Sequence, residues 1–251
     1  MENISCYILT RNSEKYLPQI LEQVKKVADE VLLVDSGSTD DTYTIAQKFG
    51  CKILYRSFDN YRDQRAFAQE KCKYDWVLFL DSDEIPTDPL IQKILELKKR
   101  GFQSDCYEVR RDWYVLGKKV HVCYPVISPD YPVRLLNRQI VKFDERSAIV
   151  HETPHGQRTT ERIQEPVEHF TFSTAWEMET KLHYYTTLSA QEVVARNKKR
   201  GWYKLFLSPI GAWIKWYFFK GAWKDGSVGW KMGAYALKYT YLKYRKARRI
   251  A

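Results

Sequence analysis

A chain of 251 residues is long enough to bury a core and suits one domain, or one domain with a substantial appendage. Five cysteines (Cys6, Cys51, Cys72, Cys106, Cys123), an odd count without a Cys-x-x-Cys pair, fit free thiols in a reducing cytoplasm better than a disulfide framework, and no run reaches the eighteen or so apolar residues of a spanning helix. The formal charge of +10 is uneven: residues 181–251 hold 16 Lys and Arg against Glu192 and Asp225, whereas residues 1–180 hold 25 against 29 Asp and Glu, so a mildly acidic body precedes a basic region.

The first hundred residues alternate strand and helix patterns. Ser5–Leu9 reads as a strand, with no secretory leader ahead of it. From Tyr16 to Val27, Leu17, Ile20, Leu21, Val24 and Val27 recur at helical spacing. Glu30–Asp35 is a second buried strand, and a helix follows from Asp40 to Phe49 with Thr39 or Asp40 as its cap. Lys52–Tyr55 is a third strand, Asp63–Cys72 a helix, Trp76–Leu80 a fourth strand and Pro89–Arg100 another helix. Repeated units of this kind predict an α/β fold with a mostly parallel, Rossmann-like sheet covered by helices on both faces. Beyond residue 105 the pattern changes to short strands at Tyr107–Arg111 and Val133–Leu136, then an amphipathic helix over 175–200 and a basic, aromatic remainder. Three segments result: 1–104, an α/β half; 105–174, a second half of the same domain; and 175–251, a helical extension.

Parallel sheets bind ligands at the carboxyl ends of their strands. Three strand ends carry polar residues here: Thr10-Arg11-Asn12, Asp35-Ser36-Gly37-Ser38-Thr39-Asp40 and Asp81-Ser82-Asp83-Glu84. The last follows four apolar residues, Val77–Leu80, and ionised carboxylates there need a partner. Mg²⁺ favours one or two carboxylates plus phosphate oxygens, so Asp-x-Asp at a strand end is a plausible clamp for a metal–diphosphate.

These three motifs, in this order and spacing, resemble the nucleotide-sugar-binding half of the family 2, GT-A-fold, inverting glycosyltransferases. Pro132–Leu136, Val150-His151-Glu152, Glu168-His169 and the aromatic, glycine-punctuated tail are similar to the small bacterial enzymes of the lipopolysaccharide core glucosyltransferase type. The resemblance implies that Thr10, Asn12, Asp35, Ser36, Gly37 and Ser82 line the nucleotide-sugar pocket. It implies that Arg65 faces the nucleotide or diphosphate, that Asp81 contacts ribose or a metal-bound water, and that Asp83 ligates Mg²⁺ or Mn²⁺. Arg134 is either a contact to diphosphate or an acidic acceptor, or a structural ion-pair partner. His169 is either a metal ligand or a histidine satisfied at a strand end.

Transfer of a sugar needs a cation to stabilise the leaving diphosphate and a carboxylate to take the acceptor's proton. Asp144, Glu145, Glu152, Glu161 and Glu165 are the candidates for that base. Glu152 is chosen, because it follows Ala148-Ile149-Val150, sits beside His151 and precedes a Pro-Gly loop; Asp144 or Glu145 comes next. Trp202, Trp213, Trp216, Trp223 and Trp230 interleaved with Lys and Arg predict peripheral attachment at the inner face of the plasma membrane. The expected partners are a UDP-sugar donor, a glycan or glycolipid acceptor and that membrane surface, with no nucleic acid. Two alternatives, a nucleotide-sugar pyrophosphorylase-like enzyme and a basic nucleic-acid-binding protein, fit less well. The first usually opens with a glycine-rich phosphate loop, and no glycine precedes Gly37; the second leaves the metal motif without a purpose.

Overall fold

The computed structural model describes residues 2–147, 153–195 and 202–250. The chain divides into two units, one made of Met1–Arg111 and Tyr131–His169, the other of Asp112–Asp130 and Phe170–Ala251. In chain order the elements of the first half are β1 (Ile4–Thr10), α1 (Leu17–Val24), β2 (Glu30–Asp35), α2 (Thr42–Lys48), β3 (Lys52–Tyr55), α3 (Tyr61–Lys71), β4 (Trp76–Asp81), β5 (Glu84–Pro86) and α4 (Asp88–Arg100). There follow β6 (Cys106–Val115), β7 (Lys118–Lys119), β8 (Val122–Cys123), β9 (Val126–Ile127), β10 (Val133–Asn137), β11 (Thr160–Phe172), α5 (Ala175–Ala195), α6 (Tyr203–Ile214) and α7 (Gly226–Ile250).

The nine-stranded sheet runs β3-β2-β1-β4-β10-β6-β11-β5, with β7 paired to β6. β3, β2, β1 and β4 are mutually parallel; β10 turns antiparallel to β4 and β6, and β11 is antiparallel to β5. Period-two alternation divides the side chains between two cores. Ile4, Cys6 and Ile8 of β1 join Val31, Leu33, Leu78 and Leu80 beneath α1 and α4. Tyr7 faces the other way with Leu32, Val34, Val77 and Phe79, against Ala68 and Cys72 at α3. Both faces are therefore dry, which is why these strands read as continuous apolar runs. A buried Leu or Ile here contributes about 1.5–3 kcal/mol relative to exposure.

The helices begin where the local chemistry allows. Thr87 Oγ1 accepts from the Leu90 N–H at 3.4 Å, Pro89 occupies the first turn, and Lys98, Lys99 and Arg100 sit at the negative end of α4. α3 starts at Tyr61, two residues before the expected Asp63, because Asn60 Oδ1 accepts from the Asp63 N–H at 2.9 Å and caps it. All five cysteines are free, and all but the half-buried Cys51 are buried.

In the second unit, α5 and α7 pack around Met178, Leu182, Met232 and Tyr235 together with Trp113, Val120 and Cys123. A π-helical turn, Lys215–Phe219, continues α6, and a 3-10 turn, Ala222–Asp225, leads into α7. Asp225 ties that turn to the chain at β8, accepting from the His121 N–H at 2.9 Å and the Val122 N–H at 3.1 Å. Among the described residues no helix is long and apolar enough to cross a membrane.

Candidate active site

The register of the first unit brings the polar strand ends together. Thr10 lies opposite Asp35, and Leu9 opposite Asp81, so the carboxyl ends of β2, β1 and β4 are neighbours.

The β2 end is built on a buried carboxylate. Asp35 Oδ2 accepts from the backbone N–H groups of Gly37 and Ser38, each at 2.8 Å, and Oδ1 accepts from Thr10 Oγ1 at 3.1 Å and from Ser38 Oγ. Gly37 adopts a φ of +93°, a conformation that side chains with a Cβ resist, and this lets both N–H groups point at one oxygen. Burial pushes the Asp35 carboxyl up, but the hydrogen bonds from Ser38 and Gly37 outweigh it and hold it below the usual carboxylate range. Asn12, in the left-handed region at φ +51°, donates its N–H to Ser38 Oγ at 2.8 Å and accepts from the Thr39 N–H at 2.8 Å through Oδ1. Ser36 donates its N–H to the Thr10 carbonyl at 3.0 Å, while its Oγ accepts from Gln64 Nε2 at 2.8 Å. The first two motifs are thus one hydrogen-bonded loop pair.

At the end of β4, Ser82 and Asp83 form the turn into β5. Arg65 Nη2 donates to Asp81 Oδ1 at 2.6 Å and Arg134 Nη2 to Asp81 Oδ2 at 3.1 Å, with both guanidinium groups 5.3 Å from the Phe79 ring centre. Burial raises the Asp81 carboxyl, yet the net shift is downward, driven first by the Arg65 charge and also by that of Arg134. Glu84 is fully buried. It receives Arg134 Nε at 2.7 Å and Nη2 at 2.6 Å as a two-point clamp, Arg111 Nη1 at 3.0 Å, and the Asp81 N–H at 3.2 Å. Burial opposes the Glu84 charge, and Arg134 then Arg111 more than reverse that, holding the carboxyl far below its ordinary range.

β11 supplies the last member. Its pairing with β5 sets His169 opposite Glu84, which brings His169 Nε2 to 3.4 Å from Asp83 Oδ2. Two neighbouring ligands on one octahedral cation lie roughly 3 Å apart when each bond is ~2.1 Å, so this oxygen and nitrogen are close enough that they could share a Mg²⁺ or Mn²⁺. Among the described residues no group of three or more His, Cys, Asp or Glu is arranged to hold an ion.

Thr10, Asn12, Asp35, Ser36 and Gly37 therefore share one loop pair, while Arg65, Asp81, Asp83, Arg134 and His169 share the acidic turn beside it. Arg134 is ion-paired with Asp81 and Glu84. Glu152 and His151 lie outside the described residues. Asp144 is bonded by Arg146, side chain and N–H, and these bonds push its carboxyl down to about 2. Arg111 and the clamp role of Glu84 were not foreseen: in Arg110-Arg111 nothing tells which residue faces the turn until the register is fixed.

Residues 5–151, more than half of the chain, match the family Glycosyl transferase family 2. The chain is 28% identical over 250 residues to the lipopolysaccharide core biosynthesis glycosyltransferase LpsC of Rhizobium meliloti, covering 97% of this chain and 91% of that protein. It is 27% identical over 231 residues to an uncharacterized glycosyltransferase of Rickettsia felis, covering 88% and 78%. Among solved structures, S. aureus TarS 1-349 aligns with a TM-score of 0.49 at 14% identity, over 99% of this chain and 92% of that one. This chain covers 40% of another, TarS, structure.

Proposed function

The chain belongs to glycosyl transferase family 2, and from that premise we propose that it is an inverting hexosyltransferase moving a sugar from a UDP-sugar, UDP-glucose first among them, to a lipid-linked or lipopolysaccharide-core glycan. The observation that carries this reading is the meeting of the Asp35 loop with the Asp81–Asp83–His169 turn at adjacent strand ends. The similarity to LpsC along nearly the whole chain supports the acceptor class.

In this reading Thr10, Asn12, Asp35, Ser36 and Gly37 receive the nucleoside. Asp83 and His169 hold Mg²⁺ or Mn²⁺, the imidazole favouring manganese. Bound there, the cation supplies Lewis-acid stabilisation of the departing diphosphate. Asp81, held by Arg65 and Arg134, orients ribose or a metal-bound water. Glu152 takes the proton of the attacking acceptor hydroxyl, a role typically worth about 10²–10⁴-fold. Asp144 is the weaker choice, because a carboxyl already bonded by Arg146 and lowered to about 2 binds a proton poorly at neutral pH. We place the enzyme in the cytoplasm, with its basic second unit against the inner leaflet.

A panel of nucleotide-sugars, screened by thermal shift with manganese and with chelator, tests the reading. At a hundred times Kd the matching donor adds about 2.7 kcal/mol, a rise of roughly 5–10 °C for a chain of this size. A panel in which no UDP-sugar shifts the melting point, with or without metal, would falsify it.

A further inference from the structure

Among the described residues of the second unit, one helix carries an exposed apolar face. α6 and its π turn are apolar nearly all round. One side packs on α7: Trp213 and Tyr217 each meet Trp230 edge-on at 5.6 Å. A Cβ at Gly233 would stand 3.1 Å from Trp213 Nε1, so the glycine permits this close approach. The opposite side carries Tyr203, Phe206, Leu207, Ile210, Ile214 and Phe218, which recur at steps of three and four. All are exposed, Phe206 to 59%, Leu207 to 66% and Ile210 to 53%. A helix that is apolar all round belongs in a core or in lipid. Its inner face already has its core. At 1.5 Å per residue, 17 residues from Tyr203 to Phe219 reach only about 25 Å, and charged residues flank them, so the element suits the plane of a membrane surface rather than its crossing.

The charge around this face agrees. Lys215, Lys220 and Lys224 are exposed at and after the π turn, Lys204 turns its ammonium to the Tyr244 ring at 5.3 Å, and residues 202–250 hold 11 Lys and Arg with Asp225 as their only acid. The Asp225 carboxylate is engaged by the His121 and Val122 N–H groups. A second copy seated here would bring like-charged lysines together, with Asp225 the only acid of residues 202–250 on either side. Anionic phospholipid headgroups are the complementary surface, each Lys or Arg near them adding about 1 kcal/mol.

We propose that the outer face of α6 is an in-plane anchor, its aromatic and aliphatic side chains at the acyl boundary and its lysines on anionic headgroups. This rests on the membrane-facing reading of the second unit and deepens it by naming one helix face and its mode of contact. Flotation of the full chain with vesicles of phosphatidylcholine alone, or mixed with phosphatidylglycerol, tests it. The wild type should float with the anionic vesicles and lose binding as salt rises. The triple variant Phe206→Ser, Leu207→Ser, Ile210→Ser changes only exposed side chains and should need at least about tenfold more lipid for half binding. The pair Lys215→Glu, Lys220→Glu should lose the preference for anionic lipid, with melting temperature and donor-induced shift unchanged in both variants. Equal flotation of wild type and triple variant overturns the anchor while leaving membrane attachment standing. A wild type that never floats overturns both. A dimer that the triple variant converts to monomer, with flotation unaltered, would make the face a subunit interface and overturn the anchor as well.

Discussion

Replacing Glu84 with glutamine is the sharpest probe of the acidic turn. The wild-type carboxylate lies at zero exposure and accepts two bonds from Arg134, one from Arg111 and one from the Asp81 N–H. Glutamine keeps the shape but replaces one anionic oxygen with an amide donor aimed at a guanidinium. Arg134 must then share the Asp81 carboxylate with Arg65. Stripping one partner from a buried pair costs about 3–5 kcal/mol; the remaining contact of Arg134 with Asp81 argues for the lower end. A loss of about 3 kcal/mol lowers the melting temperature by roughly 6–12 °C for a chain of this size. Urea titration and thermal melts at pH 7 read this directly. The reasoning also requires that the loss come from the stranded guanidinium rather than from a missing attraction. Adding Arg134→Met to Glu84→Gln should therefore recover stability relative to Glu84→Gln alone. A single variant within about 1 kcal/mol of wild type, or a double variant less stable than Glu84→Gln, would refute it.

Other substitutions separate the roles around the turn. Asp35→Asn should destabilise the chain by about 1.5–3 kcal/mol, the value of hydrogen bonds to a charged group, and weaken nucleotide binding measured by calorimetry. Because the Asp35 carboxyl is lowered in the folded state, its stabilisation is present above the unfolded value of about 3.9 and is lost as pH falls through the lower folded value; the wild-type advantage over Asp35→Asn should shrink in acid melts below about pH 4. Asp83→Asn and His169→Ala should each remove the manganese-dependent part of the donor-induced thermal shift while leaving the folded chain intact; an unchanged metal response in both would remove these residues as ligands. Glu152→Gln should keep donor affinity and lose turnover by at least about a hundredfold, and near-normal turnover would eliminate it as the base.

The four parallel strands were legible because each is buried on both faces and bounded by polar turns, so its apolar run had few other readings. The strand-end motifs were legible for the same reason: Thr10, Asp35 and Asp81 are the residues at which apolar runs stop. β11 was not. Glu161 and Glu165 stand on the same face as the buried Ile163 and Val167 and interrupt its apolar alternation, and the polar His169 and Thr171 continue that face. β5 was hidden by brevity, because three residues, Glu84-Ile85-Pro86, carry no period. Missing this pair meant missing the register that sets His169 beside Asp83, and with it the reason for Glu84. In sequence Glu84 is a third acid beside the Asp-x-Asp pair; in the fold it is buried as the counter-charge to Arg134 and Arg111.

That burial assigns different work to carboxylates only two residues apart. Asp81 accepts a guanidinium on each oxygen, so a divalent ion ligated by it would approach two fixed positive charges at a separation on the order of 4 Å. At an effective dielectric of about 20, each pair of unit charges at that distance costs about 4 kcal/mol, and the second charge of the ion doubles it. His169 Nε2 stands 3.4 Å from Asp83 Oδ2, and a histidine ligates through its neutral imidazole, which brings no positive charge of its own. The ion should therefore settle on Asp83 and His169, with Asp81 reached through a water. Crystals soaked with manganese and UDP, recorded at the manganese absorption edge, locate it without recourse to activity. An anomalous peak within about 2.3 Å of Asp81, with Arg65 or Arg134 swung away, would show that the arginines are movable occupants of a metal site and not its electrostatic boundary.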